Sequence, residues 1–444
     1  MPASLTVWIL SALLLLGVMT QSWWEPRLQA RGINIRTWPW RWWMLGYPRT
    51  VLRIWWTWRQ LAMLNGLSVS RRPNQRVMGR DLVVQGQALR PKAPRLGWPV
   101  PTRNGVIVRV LMHPGQTPAP YLSAAGAVEH AWRVHAVRVR SPRRGQILIT
   151  ATANDPLTGK GSAKRPETLA LLSADVGHTE DGPSWVIDLR KVPHWLITGA
   201  TQSGKSSLLA ALVRSLSRQP VALVGIDCKG GMELGLFGRR FSKLAIDRKR
   251  ALVVLASMVE EIEHRMRVCR AAGVRSIWAL PEERRPIPIV VIVDELAELY
   301  LHDGSRESRD EAEQCGTLLL RLAQLGAALG VHLVAAGQRV GSDLGPRVTA
   351  LRAQLGGRVA HRAHDEASAE MTLGDLNPDA VVIAQTISEE EQGVAVVTTG
   401  GRWMRARSHL ISMADVAEIA VVPGPPYPFL SVVETASEKG ETEK

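Results

Sequence analysis

Cysteine is scarce in this 444-residue chain. Cys228, Cys269 and Cys315 are far apart in sequence and odd in number. They form no disulfide framework and no metal-ligand spacing, so the simple expectation is a reducing compartment. Cys228 reads as a small core residue. Acid is missing from the start of the chain. No charged side chain precedes Glu25, which is the one acid within residues 1–80, against eleven arginines. Lysine is thin as well, with ten against 45 arginines. The formal charge of +15 therefore comes largely from the N-terminal segment, and it does not mark the whole surface as nucleic-acid binding. The guanine-reading pattern N-K-x-D is absent too, which favours adenine over guanine nucleotides.

One motif that is present decides the class. Gly199-Ala200-Thr201-Gln202-Ser203-Gly204-Lys205-Ser206 is a complete G-x-x-x-x-G-K-[ST] phosphate loop. It follows the apolar run Trp195 to Thr198 and leads into Ser207 to Val213, the strand–loop–helix context that the motif needs. Glycines let the backbone turn its N–H groups onto phosphate. Lys205 reaches the β and γ oxygens, and Ser206 holds Mg²⁺. A second motif is the β-branched run Ile287 to Val293, interrupted by Pro288 and ending in Asp294-Glu295. It has the pattern of a buried parallel strand. Acids at its carboxyl end lie where open α/β sheets bind ligands. Asp294 is expected to fix Mg²⁺ through water and Glu295 to polarise the attacking water. These residues predict an ATP hydrolase.

The first 24 residues form the longest uncharged stretch. Ala3 to Thr20 as a helix spans about 27 Å, close to the hydrocarbon thickness of a bilayer. Trp23 and Trp24 follow at interface depth, and no basic region precedes the span as in a signal peptide. The expectation is a single transmembrane anchor over residues 1–24. All nearby arginines follow it, which places the rest of the chain in the cytoplasm. Ten of the sixteen tryptophans fall before residue 60, interleaved with Arg36, Arg41, Arg53 and Arg59. A second span over Tyr47 to Leu67 would bury Arg53 and Arg59 at mid-depth, which is costly. Residues 25–70 therefore read as a membrane-interface segment, with Ile33 to Leu67 lying on anionic lipid.

Residues 71–104 are basic and rich in Pro and Gly and read as a linker. Residues 105–155 read as a small α+β module: a strand from Val106 to Met112, a helical stretch from Tyr121 to Val134, and strands at Val137 to Val139 and Gln146 to Ala151. Residues 169–420 alternate strands and helices. The helix Arg250 to Arg270, a polar loop His302 to Asp310, the helix Glu313 to Leu329 and the strand Val331 to Ala336 imply a parallel sheet covered on both faces. Residues 421–444 hold four prolines and a charged end and read as a disordered tail.

At these residues the chain resembles the FtsK/SpoIIIE family of membrane-anchored DNA translocases. Pro193 to Ser206 resembles the family's P-H-x-L-x-x-G-A-T-G-S-G-K-S run, with Gln202 in place of glycine, a change of little expected consequence for phosphate contact. Ile226 to Leu234 resembles D-P-K-G-x-E-L, with Cys228 for proline. Gly330 to Arg339 resembles G-I-H-L-I-x-A-T-Q-R, and Arg358-Val359-Ala360 followed by Asp365 matches R-I-A…D. The resemblance implies a RecA-like motor with ATP and Mg²⁺ as cofactors and double-stranded DNA as partner. It also implies a homo-hexameric ring with each site between subunits. Lys205, Ser206, Ser207 and the rest of the loop would bind phosphate. Gln338 would sense the γ-phosphate, and Arg358 is a candidate for contact across the subunit interface. Only about 25 residues follow the motor, too few for the winged helix with which some family members read DNA signals. A single arginine-rich anchor makes the chain most similar to the transfer proteins of actinomycete conjugative or integrative elements, with accessory partners unknown. Chromosome segregation is the neighbouring role. The alternatives are a protein-moving ATPase of the type VII secretion kind, which usually carries several such domains, and a scaffold with a degenerate site, which the intact Lys205, Asp294 and Glu295 oppose.

Overall fold

A computed structural model describes residues 41–69, 91–153 (without 103), 155, 157, 169–374 (without 181 and 346) and 378–426, with the isolated residues 20 and 27. The chain divides into two compact units, residues 1–156 and 157–444. The expected span over 1–24 lies outside the described residues. Among the described residues no helix is long and apolar enough to cross a membrane.

In the first unit, α1 (Tyr47–Leu64) buries Ile54, Trp58, Leu61 and Ala62 at helical spacing, the pattern of a helix with one face in a core. Its other face exposes Trp55, Trp56, Met63 and Leu64. Then come β1 (Arg95–Leu96), β2 (Val100–Pro101), β3 (Gly105–Leu111), α2 (Ala119–Ser123), α3 (Ala125–Trp132), β4 (Ala136–Arg143) and β5 (Gln146–Thr152). They make an antiparallel sheet ordered β1-β3-β5-β4, with β2 also paired to β3. Val106, Val108 and Val110 alternate inward against Ile147, Ile149 and Ala151, with Trp58 and Trp132 packed in the same core. The indole N–H of Trp58 donates to the Pro94 carbonyl at 2.9 Å and that of Trp42 to Thr102 at 2.9 Å. These bonds correct two expectations. Residues 91–102 are not linker but sheet edge, and residues 47–64 are not wholly an interface segment, because half the helix is module core. Composition hid this: the prolines there supply carbonyl acceptors rather than breaking the structure.

The second unit runs β6 (Ser173–Thr179), β7 (Ser184–Asp188), β8 (His194–Thr198), α4 (Lys205–Leu216), β9 (Ala222–Ile226), β10 (Lys243–Ala245), α5 (Arg248–Ala271) and β11 (Ile289–Val293). It continues with α6 (Arg306–Leu325), β12 (Val331–Gly337), α7 (Val348–Gln354), β13 (Gly357–His361), α8 (Glu366–Leu373), α9 (Pro378–Thr386), β14 (Val394–Thr399), β15 (Arg402–Ser408) and α10 (Met413–Ala420). One ten-stranded sheet results, ordered β10-β9-β11-β12-β8-β13-β14-β15-β6-β7. The strands from β10 to β13 are parallel. Those from β13 to β7 pair antiparallel. The sheet is thus mixed rather than purely parallel. The hairpin of β14 and β15 turns on Gly400 and Gly401, both at positive φ, a two-residue turn that glycine makes easily.

Strands β8, β9, β11 and β12 are buried along their whole length, as expected for central parallel strands. One core lies under α5, α6 and α7, a second under α4 and α10, and a smaller third under α8 and α9. Helix α6 begins inside the stretch read as a polar loop. Ser305 caps it by accepting from Ser308 N at 3.2 Å, with Glu307 in the first turn, where an acid favours the helix dipole. The start of the expected tail is also tied down: Gly424 N donates to Arg239 O and Ser242 Oγ to Pro425 O, both at 2.9 Å. Residues 427–444 lie outside the described residues.

Candidate nucleotide site

The carboxyl ends of β9, β11, β12 and β8 lie side by side, in register through Ile226–Val293, Val293–Ala335 and Gly337–Thr198. Everything that the two sequence motifs offered arrives on this edge. Lys205 opens α4. Its ammonium donates to the Asp294 carbonyl at 3.1 Å and to Glu295 Oε2 at 3.2 Å.

The loop from Gly199 to Gly204 is clamped from the β13 side. Ala200 N donates to Arg362 O, and Gly393 N to Ser203 O, each at 2.9 Å. A Cβ on Gly199 would lie 2.4 Å from Ser203 Oγ and 2.7 Å from His361 Cβ. Gly204 has φ +114°, and a Cβ there would lie 2.4 Å from Gly393 Cα. Both glycines are therefore required for close approach. Gln202 also has positive φ, +60°, a conformation costing a non-glycine residue about 1 kcal/mol. A glycine, as in the family pattern, would relieve this strain, so Gln202 carries more weight than the sequence suggests. Thr201 and Gln202 are exposed, Ala200 and Ser203 buried, and Ser206 and Ser207 half-buried. Ser203 Oγ is buried without a hydrogen-bond partner. His361, fully buried beneath the loop, holds the Val394 carbonyl through Nδ1 at 3.0 Å. Burial pushes its pKa down to about 4.

Asp294 has its Oδ1 buried and unpartnered. Burial raises its carboxyl above the ordinary value, Asp227 and Glu233 add to the rise, and Lys205 opposes it. A desolvated carboxylate oxygen with no donor fits a site for a cation held through water, with Ser206 as the second contact. Glu295 is fully engaged. Oε2 takes Lys205 at 3.2 Å and Lys229 at 3.3 Å, and Oε1 accepts from the backbone N of Gln338 at 3.2 Å. Gln338 thus sits at the tip of β12, against the carboxylate and facing an open cleft.

Arg358 is not brought to this edge. Its guanidinium donates to the carbonyls of Leu355, Thr372 and Arg352 at 2.8, 2.8 and 2.7 Å, all within its own chain. Sequence reasoning missed Lys229, His361 and Gly393. Lys229 lay in a quoted motif, but nothing in its spacing told which carboxylate it would meet. His361 and Gly393 come from strands whose place beside the loop only the sheet order reveals.

Three comparisons bear on identity. Residues 33–153 match the actinomycete conjugal transfer protein N-terminal domain, and residues 161–284 and 278–342 match the FtsK/SpoIIIE family. The chain is 40% identical over 332 residues to the transfer protein TraSA of Streptomyces ambofaciens, covering 72% of this chain and 79% of that protein. It is 32% identical over 235 residues to the DNA translocase FtsK of Campylobacter jejuni, covering 50% of this chain but 23% of that longer protein. The fold is similar to the pCW3 conjugation coupling protein TcpA in its monomer form with ATPγS, at TM-score 0.55 and 20% identity, covering 84% of this chain and 98% of that one.

Proposed function

The chain belongs to the FtsK/SpoIIIE family, in its actinomycete conjugal-transfer branch, and on that premise we propose a membrane-anchored, ATP-driven translocase of double-stranded DNA acting in conjugative transfer. The observation that carries the enzymatic half is the meeting of Lys205, Asp294, Glu295 and Gln338 on one sheet edge. Lys205 leaves Glu295 for the β and γ phosphate oxygens. Ser206 and Asp294 would hold Mg²⁺, which would neutralise charge building on the phosphates. Glu295 takes the proton of the attacking water, while Gln338, on the backbone that braces Glu295, registers the γ-phosphate. Loss of that phosphate alters the tip of β12, the element through which hydrolysis is read out as movement.

Anchoring by residues 1–24, a cytoplasmic motor and assembly as a homo-hexamer complete the reading. The exposed Trp55 and Trp56 on α1, with Arg59 beside them, suit contact with an anionic bilayer. DNA is gripped through phosphates and hence with little sequence preference. The test is ATP turnover of the full chain in nanodiscs with and without long duplex DNA. Duplex stimulates turnover, and unrelated duplexes of equal length compete with ratios near one. Turnover indifferent to DNA but raised by a secreted polypeptide would overturn the reading in favour of a protein-export motor.

A further inference from the structure

Lys229 has no assigned task in hydrolysis, yet it is aimed as firmly as any residue at the site. The turn that carries it is built by Asp227, a fully buried carboxylate spent on backbone donors: Lys229 N at 3.3 Å, and Glu233 N and Leu234 N at 2.9 Å each. Gly230 and Gly231 follow at φ +76° and +75°, so the turn has one shape. From it the Lys229 ammonium reaches Glu295 Oε2 at 3.3 Å.

When phosphate draws Lys205 away, Glu295 is still not available to water. Lys229 remains on Oε2 and Gln338 N on Oε1. An oxygen that already accepts from an ammonium is not aimed at a water proton. Lys229 itself has somewhere to go. Unlike Lys205 it is half-exposed, and it lines a cleft of about 410 Å³ together with Glu295, Glu298, Gln338, Arg339 and His364. Glu298 stands one short turn past Glu295, its N–H on the Glu295 carbonyl at 3.3 Å. Burial works against the Lys229 charge, but Glu295, Asp294 and Glu298 outweigh it and hold the ammonium above the ordinary lysine value.

We propose that Lys229 is a latch on Glu295: a positioning residue that holds the carboxylate while the phosphate loop is empty and swings to Glu298 once nucleotide is bound. The proposal rests on the ATPase reading of the site. It makes hydrolysis wait on two cations leaving one oxygen, the first drawn by nucleotide and the second by a neighbouring carboxylate.

Zero-length carbodiimide cross-linking of the full chain, read by mass spectrometry, follows the latch without relying on turnover. Without nucleotide, Lys229 cross-links to Glu295. With Mg²⁺ and a non-hydrolysable ATP analogue that product gives way to a Lys229–Glu298 link. Lys229→Met raises DNA-independent ATP turnover by about three- to fivefold, the scale of releasing a half-exposed ion pair, with KM for ATP unchanged. Lys229→Arg stays near the parent chain, and Glu298→Gln lowers kcat without changing KM. A Lys229–Glu295 link equally strong with and without the analogue overturns the latch, as does Lys229→Met losing turnover while still binding nucleotide. A parent chain that hydrolyses nothing would sink the ATPase reading instead, and the cross-links without nucleotide separate that failure from this one.

Discussion

At the nucleotide edge of the large sheet, buried polar atoms are left unmatched: Asp294 Oδ1, Ser203 Oγ and His361 Nε2 have no hydrogen-bond partner. In the N-terminal module the buried polar groups mostly find one. The indoles of Trp42 and Trp58 and the hydroxyl of Tyr47 donate to the carbonyls of Thr102, Pro94 and Pro99, with Ser68 Oγ and Trp132 Nε1 among the exceptions. A buried polar atom without a partner costs about 1–3 kcal/mol. At Asp294 Oδ1 a bound cation would supply the missing partner, whereas other unmatched atoms of the same unit, such as Trp185 Nε1 and the Tyr300 hydroxyl, lie in its cores. Where the cost has been removed by matching, the residues serve the fold. The tryptophans of the module, conspicuous in sequence, are divided by this criterion between packing and surface.

The contrast is sharpest in turnover. Lys205→Ala abolishes ATP hydrolysis, and Glu295→Gln slows it by about a hundredfold or more while nucleotide still binds. Steady-state rates with a separate binding titration check this, and near-parent turnover in Glu295→Gln would break the catalytic assignment. Neither change affects folding of the module.

Acid distinguishes the two units next. His194, His332 and His361, all buried in the second unit, are pushed down from 6.5 to about 4, 3 and 4, with burial the main cause in each. Their folded values are depressed, so the stability they contribute is present above pH 6.5 and is lost as pH falls toward 4. Three such groups give a slope of up to about 4 kcal/mol per pH unit in that window. Chemical denaturation at stepped pH, followed by probes in each unit, detects it. A motor as stable at pH 4.5 as at pH 7 would contradict the neutral, buried assignment.

Within the module, Trp58→Ala removes a buried indole and costs about 3–5 kcal/mol. Trp56→Ala, at 70% exposure, leaves melting within about 0.5 kcal/mol but weakens binding to anionic vesicles. Equal melting losses in the two variants would erase the two-faced reading of α1. Smallest is the gain from Asp294→Asn. Burial raises the Asp294 carboxyl and penalises its charged form in the empty fold, so removing the charge stabilises the fold slightly near neutral pH, and turnover is lost. The gain shrinks as pH falls and the parent carboxyl takes up its proton. Thermal melts at two pH values measure it.

The motor's site was largely legible because its chemistry is local. Eight consecutive residues make the phosphate loop, and an apolar run carries Asp294 and Glu295 to the edge. What bonds the loop from outside was not legible. Arg362 and Gly393 lie far along the chain from Ala200 and Ser203, and the order of β8, β13 and β14 has no signature in periodicity. The Gly400-Gly401 turn was a readable hairpin signal flanked by Val394 to Thr399. The Ser305 cap could have been read as well, since Glu307 follows it. For Arg358 the motif gave a residue type but not the Leu355, Thr372 and Arg352 carbonyls that its guanidinium meets. The prolines of 91–102 misled because a composition rule for linkers cannot see the Trp58 indole and Tyr47 hydroxyl that donate to the Pro94 and Pro99 carbonyls.

The placement of Trp42 and α1 has a mechanical consequence. A motor that pulls a polymer against a fixed support transmits an equal tension into its own mooring. Under the anchoring proposed above, tension entering the chain ahead of residue 41 would meet first the Trp42–Thr102 bond and then the Trp58–Pro94 bond. Both tie the incoming strand of polypeptide across to the sheet edge rather than along itself. The load is shared between crosswise staples before it reaches the strands β3 and β5, which would otherwise unzip one rung at a time. With that anchoring, the indoles that fill the module's core would also act as its strain relief.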